Sequence, residues 1–229
     1  MADPSQVRYA LYYTPPPDSP LWRFGCAVIG YDSVLGCDVP LALPEGWSTD
    51  DWRAATTEPR RYGFHATLKA PFRLAAGSTE DDLLEAVRTF SKGNLPVPLG
   101  GLRVAQIGSF VAVVPEVQGK KLENLAADVV TAFEPFRAPL TAEDRSRRKP
   151  ELLSNLERSY LDCYGYPYVL DAFRFHMTLS GPLPPSRITS TQSAIDAQFA
   201  RLRSLPTDIH VVALCRQDTP ETRFRVVNI

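Results

Sequence analysis

The 229 residues carry 25 Lys and Arg against 26 Asp and Glu, a formal net charge of -1, and 44% of them are hydrophobic. This balance is enough for a folded core and argues against a disordered chain or an obligatory nucleic-acid binder relying on a global basic field. No stretch approaches the roughly 18 to 20 apolar residues of a membrane helix, and Cys26, Cys37, Cys163 and Cys215 lie far apart with no secretory leader, so a cytoplasmic protein with reduced thiols and no membrane association is expected.

The first predicted element is a strand over Arg8 to Tyr13, closed by the Thr14 to Pro17 turn. Short helices are expected over Pro20 to Val28 and Trp47 to Ala55, the second capped by Ser48 or Thr49 with Asp50 and Asp51 in its first turn. An alternating strand then runs from Phe64 to Phe72, followed by a helix from Thr79 to Lys92 with Thr79 and Asp82 as a capping box. Strands Leu102 to Ile107 and Phe110 to Pro115 form a hairpin over Gly108-Ser109, and Leu122 to Phe136 has helical apolar spacing. The charged segment from Arg137 to Pro150, with Arg145, Arg147, Arg148 and Lys149, reads as an exposed connection. A helix from Glu151 to Tyr164, a strand over Phe173 to Ser180, a helix from Thr189 to Arg203 and strands Ile209 to Cys215 and Phe224 to Val227 complete the chain.

The second half repeats the first. Phe64-His65-Ala66-Thr67-Leu68 precedes Pro71, a helix and two strands, and Phe175-His176-Met177-Thr178-Leu179 precedes Pro182, a helix and two strands. The expected fold is α+β: one bilobal domain over residues 1–229, with two pseudo-symmetric antiparallel sheets and outer helices around a central cleft. Repeat motifs lie at 64–72 and 175–183.

Side chains alternate along a strand, so His65 and Thr67 share one face while Phe64, Ala66 and Leu68 take the other; His176 and Thr178 follow the same rule. The two-fold relation brings both pairs to one cleft. Opening a phosphodiester needs a base for the attacking oxygen and an acid for the departing one, and imidazole serves either role near neutral pH. The threonine hydroxyls are placed to donate to the non-bridging oxygens. The scheme requires neither metal nor cofactor, and the three histidines and scattered cysteines show no zinc-ligand spacing, an argument that does not address a carboxylate-bound Mg²⁺.

His65-Ala66-Thr67-Leu68 and His176-Met177-Thr178-Leu179 resemble the His-hydrophobe-Thr/Ser-hydrophobe signature of the 2H phosphoesterase superfamily, and the wording of residues 61–72 and 173–183 is similar to its DUF1045 branch. The resemblance implies a LigT-like fold, His65, Thr67, His176 and Thr178 as catalytic residues, and hydrolysis of a small cyclic phosphodiester, such as a ribose-derived cyclic phosphate in phosphonate breakdown. His176 follows His65 by 111 residues, a wider gap than in the small RNA-processing members, which marks residues 120–165 as inserted helical material. Tyr12, Arg61, Tyr62, Lys69, Arg174 and Ser180 are expected to contact a small phosphorylated substrate, with Lys69 and Ser180 at matching places in the repeats. His210 is expected to be peripheral. The alternatives are an RNA 2′,3′-cyclic or 2′-5′ phosphodiesterase and a module that binds a phosphorylated metabolite without turning it over. Oligomeric state is open.

Overall fold

Strand β1 (Arg8–Tyr13) forms where the aromatic run predicts it, with Tyr9, Leu11 and Tyr13 turned into the main core and Ala10 and Tyr12 toward the opposite face. The computed structural model describes residues 6–203, 205 and 207–228. Helix α1 (Pro20–Ile29) begins on Pro20, where a missing N–H costs nothing; Ser19 accepts from the Trp22 N–H, and a left-handed Gly30 ends the helix. A ribbon of β2 (Tyr31–Asp32) and β3 (Cys37–Asp38) leads to α2 (Thr49–Ala55), capped by Ser48 on the Asp51 N–H. After Thr56 alone comes α3 (Thr57–Tyr62), which six residues are too few to announce by apolar periodicity.

The first motif builds β4 (Ala66–Phe72), and α4 (Glu80–Asn94) starts at the Thr79–Asp82 capping box. Short β5 (Val97–Pro98) precedes the hairpin of β6 (Leu102–Ile107) and β7 (Phe110–Pro115), which turns on Gly108 at a φ of 56°. Residues 120–165 are mainly helical: α5 (Lys120–Ala132), α6 (Ala142–Ser146) and α7 (Asn155–Tyr164). Thus the 137–150 segment is more than an exposed connection, since it contains α6 and is tied to the end of β4 by an Arg73–Asp144 ion pair. The second motif yields only β8 (Met177–Thr178), shorter than expected because the Leu179 and Ser180 N–H groups both donate to the Val111 carbonyl and end the regular ladder. Then come α8 (Pro185–Phe199), β9 (Asp208–Ile209), β10 (Ala213–Gln217) and β11 (Arg225–Asn228).

The fold is α+β and antiparallel, but the two expected sheets are one, with seven strands in the order β11-β10-β1-β4-β8-β7-β6. The motif strands fuse the halves by pairing with each other through Ala66 and Met177. The hairpin that follows the first motif lies beside the second, and the strands that follow the second lie beyond β1, next to the first. Each half of the sheet is therefore completed by strands from the other half of the sequence, and the expectation that each motif forms a lobe with the strands after it is corrected. Strand alternation specifies a buried face; it does not specify a partner.

Helices α1, α4, α5 and α8 pack their apolar residues into the core on one face of this sheet. Phe64, fully buried, is part of that layer, worth about 2 kcal/mol of transfer free energy. Its ring lies directly on Gly25 of α1, where a Cβ would sit 2.0 Å from Phe64 Cδ1. The opposite face carries two small clusters, Ala10, Tyr12, Ala213, Cys215 and Phe224 on one side and Ala105, Ala112 and Val114 on the other. Between them lie the motif histidines. Among the described residues no helix is long and apolar enough to cross a membrane.

Candidate active site

The Ala66–Met177 pair fixes the geometry of the site. Continued by one residue each way, its register sets His65 opposite Thr178 and Thr67 opposite His176. The four side chains thus form a square on one face of the sheet, and a diagonal of this kind separates the histidine positions by about 7 to 8 Å. Phe64, Ala66, Leu68, Phe175, Met177 and Leu179 are buried on the helical side, as alternation requires, while His65, Thr67, His176 and Thr178 are only half-buried.

Both imidazoles are held in the same way. His65 Nδ1 is 2.9 Å from the Gly63 carbonyl and His176 Nδ1 is 2.7 Å from the Arg174 carbonyl, each two residues back in the chain. A carbonyl only accepts, so Nδ1 carries the proton and Nε2 of the neutral ring is left as the lone-pair nitrogen. The Gly63 carbonyl is presented by a backbone at φ 81°, and a Cβ there would meet Ser33 Oγ at 2.5 Å. The Thr67 hydroxyl lies 3.1 Å from His65 Nε2 and donates to it.

The surroundings of the two rings differ. Tyr12 stacks on His65 with centroids 3.7 Å apart, and Tyr62 lies 6.2 Å away. His176 has Phe110 at 5.8 Å. Burial pushes the His65 pKa down to about 4, with the Gly63 carbonyl opposing and His176 adding to the fall. Burial also lowers the His176 pKa, opposed by the Arg174 carbonyl. Both rings are therefore neutral at pH 7, and a charge on His176 disfavours one on His65.

A hollow of about 230 Å³ opens on the His65–Thr178 side of this patch, lined also by Ser180, Tyr62 and Phe110; Thr67 and His176 are not in its wall. Ser180 is held there by the Val111 N–H, which its Oγ accepts at 3.1 Å. Tyr62 lines this hollow and Arg61 the neighbouring cavity, whereas Tyr12, expected to contact substrate, is fully buried, stacks on His65 and lines neither.

Two more expected contacts are not realised, those of Lys69 and Arg174. Leu11 of β1 pairs with Lys69 while Tyr12 pairs with Thr67, so β4 bulges at Leu68 and Lys69 and the alternation slips. Lys69 is thereby turned to the helical side, 3% exposed, where its Nζ donates to the Val130 carbonyl at 3.2 Å and pairs with Glu134 at 2.9 Å. It does not match Ser180. Arg174 is exposed and donates to the Asp171 and Phe173 carbonyls, lining neither hollow. Conversely, Arg8, Arg73, Arg137, Arg147 and Arg148, none of them singled out for the site by sequence, line the cavity next to Tyr62. Only Arg147 and Arg148 carried a signal, the basic run at 145–149, and its flanking acids masked it. No cluster of His, Cys, Asp or Glu suited to a metal ion occurs among the described residues.

The chain is 34% identical over 224 residues to "Ribose 1,5-bisphosphate phosphokinase PhnN" of Janthinobacterium sp. (strain Marseille), an alignment covering 96% of this chain and 49% of that protein. It is 34% identical over 194 residues to the protein of the same name from Laribacter hongkongensis (strain HLHK9), covering 84% and 44%. The chain thus spans about half the length of these curated relatives. A crystal structure described as the conserved protein of unknown function ATU0111 from Agrobacterium tumefaciens str. C58 aligns with 98% of this chain and 86% of its own, at 13% identity and a TM-score of 0.42. The sequence profile of DUF1045, "Protein of unknown function", matches residues 67–225, well over half of the chain, and the protein belongs to that family.

Proposed function

We propose that this protein is a 2H-type phosphoesterase that hydrolyses a small cyclic phosphodiester, with a LigT-like arrangement of its two motifs and no metal in the reaction. The observation that carries the reading is the matched anchoring of the two imidazoles, each Nδ1 on the carbonyl two residues back, on one patch of the sheet.

In this reaction a water oxygen attacks phosphorus, forming one P–O bond, and its proton passes to His65 Nε2. The ring P–O bond breaks on the opposite side, and the departing oxygen takes the Nε2 proton of His176 in its imidazolium form, Nδ1 keeping its proton on the Arg174 carbonyl. The more strongly depressed pKa of His65 suits it to the base role. An anionic substrate raises the pKa of the less depressed His176, which suits it to the acid role. On substrate binding the Thr67 hydroxyl turns from His65 Nε2, which frees that nitrogen as base, and donates to one non-bridging oxygen while Thr178 donates to the other.

The kinase named for the relatives calls for a phosphate-cradling loop, and no G-x-x-x-x-G-K-[ST] occurs in the 229 residues. We infer that the phosphokinase activity of that name resides in the half of those proteins that this chain does not span. A ribose phosphate handled by the same polypeptide in those relatives favours a small sugar ester over RNA as substrate here.

The test is steady-state hydrolysis of ribose 1,2-cyclic phosphate, a nucleoside 2′,3′-cyclic phosphate and a 2′-5′ dinucleotide in EDTA, with His65→Ala and His176→Ala. Turnover that survives chelation and falls about 10²- to 10⁴-fold in each variant is expected. Full activity in either variant would falsify the assignment.

A further inference from the structure

A second cavity, of about 330 Å³, adjoins the histidine hollow, and Tyr62 lines both. Its wall carries Arg8, Arg61, Arg73, Arg137, Arg147 and Arg148 against one lining carboxylate, Asp144. Asp144 pairs with Arg73, Glu134 with Arg137, and Glu143 with Arg147. Among the described residues the remaining three guanidinium groups have no carboxylate partner: Arg8 donates to the Gln217 side chain, Arg61 to the Pro220 carbonyl, and Arg148 lies 5.0 Å over the Tyr166 ring. Burial lowers the pKa of Arg8; the nearby Arg61 charge adds to that effect, and Tyr62, Tyr12 and Asp144 oppose it.

Three guanidinium groups without an ion-paired carboxylate line this cavity from β1, α3 and the turn after α6; they repel one another, and the more distant Asp144 and Glu221 charges offset that only in part. An anion does, and the planar fork of arginine matches a phosphate. The cavity volume sits near the lower end of small-ligand sites, which run from about 300 to 1,000 Å³. The 137–148 segment forms part of its wall.

We propose that this cavity is a second-anion subsite: it binds a phosphomonoester carried by the same small sugar whose cyclic phosphodiester rests on His65 and His176. The inference depends on the two-histidine reading for the reacting group, and on the arginines alone for the second phosphate. Tyr62, shared by both hollows and 6.2 Å from His65, marks where the sugar ring crosses from one to the other. Only the P–O bond at the histidines is hydrolysed; the second phosphate is untouched, so the product is a sugar bisphosphate.

The experiment compares kcat/KM for ribose 1,2-cyclic phosphate with and without a 5-phosphate, in the wild type, Arg8→Gln and Arg148→Gln, alongside calorimetric binding of ribose 5-phosphate. Arg148 is exposed, so its replacement leaves folding intact even if that of Arg8 does not. The expected result is a preference for the 5-phosphorylated ester of about 100-fold, falling about tenfold or more in each variant, as loss of a charged hydrogen bond predicts. Equal turnover of both esters, with no effect of either variant on their ratio, overturns the subsite and leaves the two-histidine reaction standing. If neither ester reacts but ribose 5-phosphate binds and loses about tenfold in Arg148→Gln, the anion site stands and the hydrolase reading falls. Preference for an oligoribonucleotide ending in a 2′,3′-cyclic phosphate overturns the small-sugar assignment.

Discussion

Ala66 and Met177 face each other across the ladder between β4 and β8, and this single pair relates the two motifs by a local two-fold. Both side chains are fully buried on the helical side, directly beneath the histidine patch. Met177→Ala leaves a cavity at that junction and is expected to cost about 2 to 5 kcal/mol in urea unfolding, whereas Met177→Leu, which nearly conserves volume, costs less than about 1.5 kcal/mol. Equal stability of the two variants would show that the junction repacks and does not anchor the motifs.

Activity should depend on pH in an acid-shifted bell. His65 must be unprotonated as base, so kcat/KM is lost as pH falls through about 4. His176 must be protonated as acid, and its pKa lies below 6.5, so kcat/KM is also lost as pH rises through that lower value. A kcat/KM optimum between pH 4 and 6.5 is expected, and one above pH 7 contradicts the proton assignment.

The same depressed pKa affects stability. Between pH 6.5 and 4 the unfolded chain binds a proton at His65 that the folded chain does not, so folding stability falls as pH is lowered through that window. Melting temperatures of wild type and His65→Asn should therefore diverge on acidification, the variant losing less; parallel curves are the result that excludes a depressed pKa.

Gly25 has no room for a methyl group, because Phe64 occupies its side-chain position. Gly25→Ala must displace the Phe64 ring and, with it, the adjacent His65. Gains in helix propensity are about 1 kcal/mol at most, so net destabilisation is expected together with a fall in kcat. A variant with unchanged kcat and raised melting temperature would mean that the ring moves freely.

Lys69 separates a structural from a catalytic role. Its Nζ serves Val130 and Glu134, away from the histidines, so Lys69→Met should lower stability by about 2 kcal/mol while kcat and KM stay within about twofold. A large rise in KM would return Lys69 to the substrate.

The sequence by itself determined the local pieces. Capping at Ser48 and Thr79, the β6–β7 hairpin and the inward face of each motif strand follow from short-range patterns, and the doubled His-x-Thr marks four residues that the β4–β8 register sets on one face. Tertiary structure decided which strands pair, and so made one sheet of an expected two, because alternation encodes a face without a partner. It also decided the fate of Lys69: the bulge against Leu11 breaks the parity on which the expectation rested. The arginine cavity was beyond sequence for a related reason. Its charges come from separate segments between Arg8 and Arg148, and only the folded chain brings them near enough to act as one field.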